Sequence, residues 1–281
     1  MTLFRNSRYW LLIPSMAAFV VLFLSPLIFF FVVSFWEVKY FKLHATFTLA
    51  NYIRTYHEYF EVALFTFGIA TLIACITTFL GFTFCYVVRF KAGRFGSVLL
   101  FGAIIALFGG YLAKVYAWKT ILGTHGILNS ALLALGLIDT PIQSFIFNPA
   151  TVVVTLSHWL LPLAILPIYS SLRAVQDTSL EAARDLGAKP WQVFTGIILA
   201  QCKAGLFAAF AFCFLISAGD YVTPRLVGGP STTMIGNYIE SLFGFRFDWP
   251  LGSSMAFSAL ICCVVLLAIA RYVLFRDWRR R

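Results

Sequence analysis

Residues 177–190, DTSLEAARDLGAKP, form a polar segment between two long apolar runs, and we call this segment the elbow. Its pattern predicts a pair of short helices. Thr178 and Glu181 have the three-residue spacing of a capping box, in which each side chain accepts a hydrogen bond from the other residue's backbone. Gly187 suits the left-handed position that ends a helix, and Pro190 suits the first turn of the next one. The small residues Ala182 and Ala183 leave a face that a partner can approach closely.

The composition predicts an all-α polytopic membrane protein. The chain of 281 residues is 61% hydrophobic and only 11% charged, whereas soluble domains carry about 25% charged residues. Its apolar runs are continuous and reach the length of about 20 residues that a helix needs to cross a bilayer. We predict one membrane domain over residues 1–281, with six spans near 11–36, 62–88, 97–117, 150–172, 198–219 and 254–275. The first span is too long for the apolar part of a cleaved signal peptide.

The basic residues are concentrated on one side of the predicted membrane. With both termini on the same side, that side carries fourteen basic and four acidic residues, whereas the other carries seven of each. Cytoplasmic loops have such an excess of Lys and Arg, so we expect both termini in the cytoplasm. Topology then explains the net charge of +10, and the expected neighbours are membrane lipids and not nucleic acid.

The sequence contains no recognisable catalytic or metal site. It lacks the phosphate-binding loop Gly-x-x-x-x-Gly-Lys-Ser/Thr and the zinc pattern His-Glu-x-x-His, as well as the Gly-x-Ser-x-Gly elbow of hydrolases. The six cysteines lie in or beside predicted spans without metal-ligand spacing. We therefore expect no enzyme activity, no metal and no cofactor bound by this chain.

The predicted spans also contain no Asp or Glu. Ion-coupled carriers use acidic residues or histidines within their spans as relays, and His158 is the residue that could serve here. A neutral histidine bonded to a neighbouring helix is the favoured interpretation, and a lysine reaching to the interface from a helix end is favoured for Lys114. An ion-coupled secondary transporter stays an alternative, but we expect a separate subunit to supply energy through the elbow.

The elbow resembles the EAA loop of the permease subunits of ABC importers. The shared pattern is Glu181-Ala-Ala-x-x-x-Gly187 followed by Ile197-x-Leu199. Further segments are similar to the spermidine/putrescine permease B subfamily: residues 116–119 (YAWK), 126–129 (GILN), 136–141 (GLIDTP), 161–162 (LP), 167–171 (PIYSS), 228–229 (GG), 235–237 (IGN) and 248–250 (DWP). The pattern departs from the family at Ala200 and Ala204, where prolines are usual, although Gly205 is kept. Fewer prolines predict a straighter start of the fifth span.

The resemblance implies a type I ABC importer permease (MetI-like) fold with a cytoplasmic coupling helix at 177–190. It implies that Glu181, Ala182, Ala183 and Gly187 dock on a cytoplasmic ATPase, with ATP and Mg²⁺ bound there. The other implied partners are a second ATPase copy, a second EAA-type permease in a heterodimer and an extracytoplasmic solute-binding protein. The implied location is the bacterial inner membrane.

The transported solute is the least determined feature. The resemblance favours a polyamine, and opines, aminoethylphosphonate and other small organic ions remain alternatives. Candidates for the outer mouth or the substrate path are Asp220, Tyr221, Glu240, Asp248, Lys114 and His158. For the acids among them, a structural ion pair with Arg225 or Arg246 is an equally good interpretation.

Overall fold

The computed structural model describes residues 12–40 and 42–276, and their regular structure is helical except for one hairpin. The elements are α1 (Ile13–Phe19), α2 (Ser25–Val33), β1 (Glu37–Lys39), β2 (Lys42–His44), α3 (Ala50–Phe90), α4 (Gly96–Leu107), α5 (Tyr111–Leu122), α6 (Ile127–Ala134), α7 (Pro149–Arg173), α8 (Asp177–Asp185), α9 (Pro190–Val193), α10 (Leu199–Gly219), α11 (Ile235–Gly244) and α12 (Trp249–Arg276). Turns of π-helix join α1 to α2 at Val20–Leu24 and α9 to α10 at Phe194–Ile198, and a third, Pro224–Gly228, follows α10. The termini that we predict to be cytoplasmic lie outside the described residues.

Five described helical stretches are long and apolar enough to cross a bilayer. They are Ile13–Val33, Ala50–Phe90, Pro149–Arg173, Pro190–Gly219 and Trp249–Arg276. They match five of the six predicted spans, but two begin well before the prediction, at Ala50 and Pro190. The helix that begins at Ala50 opens with polar residues, and a hydropathy pattern marks only the apolar part of a helix. The stretch that begins at Pro190 includes α9 and a π-helical turn that continue into α10.

The span predicted at 97–117 is not one straight helix. Helix α4 ends at Leu107, and the chain turns by 96° before it continues in α5 and α6. Gly109 and Gly110 occupy the break, where their low helix propensity makes interruption inexpensive. The Lys114 ammonium donates to the Ala106 carbonyl at 2.6 Å and so satisfies one of the carbonyls that the end of α4 leaves unpaired. The described residues provide a sixth membrane crossing if the bent pair Gly93–Leu107 and Tyr111–Ala134 forms one span.

The chain divides into two compact units, and the first consists of the described residues up to Glu61 together with Tyr238–Ile261. Aromatic contacts hold it together, with Phe30 against Phe243 at 5.5 Å and Phe31 against Phe257 at 5.1 Å between ring centroids. The Asn51 amide donates to the carbonyls of Ser34 and Trp36. These bonds satisfy carbonyls in the turn that follows α2.

The second unit comprises Val62–Asn237 and the described residues from Cys262 onward. Its core is the packing of α7 against α10, where Leu160, Leu172 and Phe214 are almost fully buried. The two helices lie close together at Gly205. A methyl group there would meet the Ser171 hydroxyl, and it would lie 2.5 Å from the Pro167 carbonyl oxygen. Only glycine fits this crossing, as is usual where membrane helices pack tightly.

Candidate functional site

The elbow forms the two short helices that its sequence predicts, but the predicted capping box is absent. Helix α8 begins at Asp177, two residues earlier than a box with Thr178 as its N-cap requires, so Thr178 lies inside the first turn. The residue before the helix, Gln176, makes no side-chain cap. Half of such a box occurs at α9, where the Gln192 side chain accepts from the Lys189 backbone N–H at 2.7 Å.

The turn at Gly187 confirms the predicted end of α8. Gly187 has φ of +81°, a conformation that favours glycine. Its N–H donates to the Arg184 carbonyl at 2.9 Å, and the next N–H, of Ala188, donates to the Ala183 carbonyl at 3.0 Å. This pair of bonds is a Schellman motif, which fixes the direction in which the chain leaves α8 toward Pro190.

An ion pair joins the elbow to the end of α3. Arg89 donates through Nη2 to the Asp177 carboxylate at 2.8 Å, and its guanidinium also lies 5.0 Å from the centre of the Phe90 ring. Beneath this pair, Val175 and Leu180 are buried in the core of the second unit. One face of the elbow is therefore held against the membrane helices, and the opposite face is left open.

The open face carries most of the residues that we predicted for docking. Glu181, Ala182 and Gly187 are exposed, whereas Ala183 is half-buried against the core. Two large apolar side chains lie in the same segment or just after it, with Leu186 89% exposed and Trp191 70% exposed. Sequence reasoning missed these two residues, although a leucine and a tryptophan in an otherwise polar loop were a signal for a contact surface.

An aromatic cluster connects the elbow to the membrane helices, and sequence reasoning missed it as well. The Phe194 ring lies 5.6 Å from Trp191, 6.0 Å from Phe82 and 5.9 Å from Tyr86, measured between centroids. Phe82, Tyr86 and Phe90 recur at four-residue intervals, which places them along one face of α3. Phe194 belongs to the π-helical turn that precedes α10, so the cluster lies where the elbow passes into that span.

Among the outer-mouth candidates, Asp220 makes several hydrogen bonds. Its carboxylate accepts from the Tyr111 hydroxyl at 2.6 Å and from the backbone N–H groups of Val222 and Thr223 at 3.1 and 3.3 Å. Asp220 therefore caps the turn after α10 and fastens it to the start of α5. The neighbouring Tyr221 is exposed, and its carbonyl accepts from the Asn237 amide at 2.6 Å.

His158 also has a defined partner. Its Nδ1 accepts a hydrogen bond from the Trp118 indole N–H at 3.2 Å, and the two rings meet edge to face. An acceptor nitrogen carries no proton, so this geometry agrees with the neutral, helix-bonded histidine that the sequence favoured. Lys114, by contrast, donates to the Ala106 carbonyl at the break between α4 and α5.

Asp248 lies just before α12, and Glu240 lies in α11. Asp248 caps α12 by accepting from the Leu251 N–H at 3.2 Å, and its other oxygen lies 3.7 Å from Arg54. For Asp248, the ion pair that we expected with Arg225 or Arg246 is thus made with Arg54, which lies near the start of α3 within the same compact unit. Glu240 is half-buried.

The chain is a multi-pass helical membrane protein, and its elbow presents an exposed surface that carries both polar and apolar side chains. In residues 12–40 and 42–276, no three His, Cys, Asp or Glu side chains form a group that could hold a metal ion.

Comparison with known proteins shows the family. The family model described as "Binding-protein-dependent transport system inner membrane component" matches residues 95–279, which is more than half of the chain. The chain belongs to this family of inner membrane transport components.

Individual relatives agree with this assignment. The chain is 35% identical over 224 residues to the spermidine/putrescine transport system permease protein PotB of Escherichia coli (strain K12), covering 79% of this chain and 81% of that protein. It is 32% identical to the protein of the same name from Haemophilus influenzae (strain ATCC 51907 / DSM 11121 / KW20 / Rd), covering 82% and 79%. Among solved structures, a bacterial alginate ABC transporter in complex with an alginate pentasaccharide-bound periplasmic protein matches with a TM-score of 0.72 at 15% identity, covering 99% of this chain and 98% of that one. Because the identity is only 15%, this match bears on the fold alone, and it confirms the type I importer permease fold.

Proposed function

We propose that this permease forms, with a second EAA-type permease, the translocation path of an ATP-driven importer for polyamines. Two copies of a P-loop ATPase would bind on the elbow side, and a solute-binding protein would deliver the substrate on the other side. ATP and Mg²⁺ would bind to the ATPase, where hydrolysis supplies the energy. The observation that carries the proposal is the elbow, because one face is fastened to the membrane helices and the other is exposed.

The exposed face of the elbow has the character of a docking surface. Glu181 and Ala182 offer a carboxylate beside a small side chain, and Leu186 and Trp191 offer exposed apolar area. Interfaces commonly combine a buried aromatic or aliphatic anchor with polar groups at its rim. A groove on the ATPase that covers these four residues would bury apolar surface that is now open to water.

The contacts behind the elbow supply a path for mechanical work. A displacement of α8 acts on α3 through the Asp177–Arg89 pair, and it acts on α10 through Trp191 and Phe194. Two spans would thus move when the ATPase subunits close. Alternating access then follows if α3 and α10 tilt together, opening the path on the side away from the elbow.

The relatives support a polyamine as the substrate. The proteins with the highest identity given above are named as spermidine/putrescine permeases, and the similarity covers about four fifths of this chain. A path bounded by the predicted spans, which contain no acidic residue, would bind a polycation only weakly, which suits passage and leaves selection to the binding protein. Asp220 and Tyr221 would lie near the mouth at which that protein delivers its cargo.

The elbow also sets the proposed topology. The ATPase works in the cytoplasm, so the elbow would face the cytoplasm, in agreement with the excess of basic residues on that side. Both termini would lie on the same side as the elbow.

Uptake in a strain that lacks its own polyamine importers tests the proposal. The complete transporter should accumulate labelled spermidine or putrescine, and uptake should stop when the ATPase subunit carries a disabled phosphate-binding loop. A protonophore should have little effect as long as cellular ATP is maintained. Uptake that survives the disabled ATPase but stops with the protonophore would favour the secondary carrier. ATP-dependent uptake of aminoethylphosphonate without polyamine uptake would keep the importer and overturn the substrate.

A further inference from the structure

An apolar groove in the second unit, formed by α3, α10 and α12, has a volume of about 580 Å³. Its walls include Phe79 on α3, Leu199 and Phe210 on α10, and Ala270 and Val273 on α12. Phe79 and Val273 are 70% and 65% exposed. All three helices have the length and apolarity of membrane spans, so the groove opens toward the hydrocarbon layer or toward another membrane subunit.

The groove is unsuited to the proposed cationic substrate. The one polar side chain in its lining, apart from the cysteine thiol, is Thr78, whose hydroxyl has no hydrogen-bond partner among the described residues. An ammonium group placed there would lose its hydration without gaining a carboxylate or a set of carbonyl acceptors, which is costly. A hydrocarbon chain has no such requirement.

Basic residues lie beside the same groove, in the part of α10 that is nearer the elbow. Lys203 stands four residues after Leu199 and four before Phe207, two lining residues, so it shares their face of α10. Phe207 contacts Phe275 at 6.4 Å between centroids, which brings the last turn of α12, with exposed Arg276, beside this part of α10. Within the described residues, neither Lys203 nor Arg276 forms an ion pair with a carboxylate.

We propose that this groove is a binding site for an anionic phospholipid, with an acyl chain between Phe79, Phe210 and Val273 and the phosphate near Lys203 and Arg276. Basic pockets between membrane helices on the cytoplasmic side are suited to anionic headgroups. A long lysine side chain can run along apolar surface and present its ammonium at the interface. The charge at one end and the apolar lining elsewhere match the two parts of such a lipid.

The test uses the assembled transporter in vesicles of phosphatidylcholine that contain a trace of photoactivatable lipid. Phosphatidylglycerol and phosphatidylcholine probes, each with the reactive group on an acyl chain, are compared, and labelled peptides are located by mass spectrometry. We expect the phosphatidylglycerol probe to label peptides of α10 and α12 at the groove several-fold more than the phosphatidylcholine probe does.

Two variants and one matched control separate the site from general lipid contact. Ala270→Trp fills the groove and should remove most of the labelling, whereas Ile269→Trp places the same side chain on the neighbouring exposed surface and should not. Lys203→Gln should remove the preference for phosphatidylglycerol while labelling by phosphatidylcholine persists. If Ala270→Trp does not assemble, Val273→Trp serves in its place.

Three results would overturn the site. The first is labelling that is spread evenly over exposed positions such as Ile261 and Val264 and does not respond to filling of the groove. The second is an efficient cross-link from Ala270→Cys to the second permease, since the groove would then be covered by protein. The third is displacement of the lipid probe by spermidine. None of these readouts depends on transport, so the proposed import function stands or fails separately.

Discussion

The guanidinium of Arg89 and the carboxylate of Asp177 lie 2.8 Å apart, and they join the last turn of α3 to the first turn of α8. The Asp177 side chain is 64% exposed and that of Arg89 24% exposed. Exposed ion pairs contribute about 0–1 kcal/mol to stability. The pair is therefore expected to add little to folding stability, and under the proposed mechanism its role is to keep α3 and α8 at a fixed distance.

This relationship predicts a separation between stability and coupling. Arg89→Gln should change the melting temperature of the purified complex little, but it should lower the amount of substrate transported per ATP hydrolysed. The exchange of both residues, Arg89→Asp with Asp177→Arg, should recover part of the coupling because the attraction is restored. A loss of coupling in Arg89→Gln that the exchanged pair does not recover at all would show that the ion pair is not the link.

The helix crossing at Gly205 predicts a large effect from one methyl group. Gly205→Ala must displace Ser171 or the Pro167 carbonyl, and overpacking of this kind costs about 1–3 kcal/mol. Gly196→Ala is the matched control, because a methyl group there meets no atom within 4 Å. Thermal unfolding in detergent should show a clear decrease in melting temperature for Gly205→Ala and little change for Gly196→Ala. Equal melting temperatures for the two variants would contradict the close approach of α7 and α10.

The turn at Gly187 predicts a local effect on the elbow. No neighbouring atom opposes a side chain there, so the cost of Gly187→Val is the left-handed backbone alone, about 1–3 kcal/mol. Gly187→Asn should be milder, because asparagine tolerates this conformation better. Amide hydrogen exchange should show faster exchange at Gly187 and Ala188 in the valine variant, with the amides of α7 unchanged. Unaltered protection in the valine variant would argue against the Schellman turn.

The Trp118–His158 hydrogen bond predicts that His158 is not a proton relay. His158→Gln keeps a hydrogen-bond acceptor but removes the titrating ring, so ATP-driven uptake should persist with an unchanged dependence on pH. Trp118→Phe removes the donor and should lower stability slightly, again without altering the pH dependence. A pH profile that flattens in His158→Gln would instead give the histidine a role in proton transfer and revive the ion-coupled alternative.

The features that the sequence predicted well are local ones. Gly187 and Pro190 are placed correctly because their backbone restrictions act within one turn, and the apolar runs locate five spans because burial in lipid needs a continuous pattern. The capping box failed because α8 begins at Asp177, where the bond to Arg89 fixes the first turn. Arg89 lies 88 residues away in the sequence, and no local sequence pattern indicates such a partner.

The remaining differences have the same origin. The break between α4 and α5 occurs at Gly109 and Gly110, and beyond it Tyr111 is anchored by Asp220, which lies 109 residues away in the sequence. The ion pair of Asp248 with Arg54 likewise joins distant parts of the chain. Phe194, Trp191 and the face of α3 that meets them become one cluster only when the helices pack.

The most direct test of the central claim is the ratio of transport to ATP hydrolysis in the reconstituted importer carrying Glu181→Lys. Asp139→Lys makes the same change of charge at an exposed position in the loop after α6, away from the elbow, and serves as the control. The docking account predicts that Glu181→Lys assembles its membrane helices normally but loses most substrate-stimulated hydrolysis and uptake, while Asp139→Lys retains both. Normal coupled uptake by the Glu181→Lys transporter would contradict the assignment of the elbow as the ATPase-docking surface.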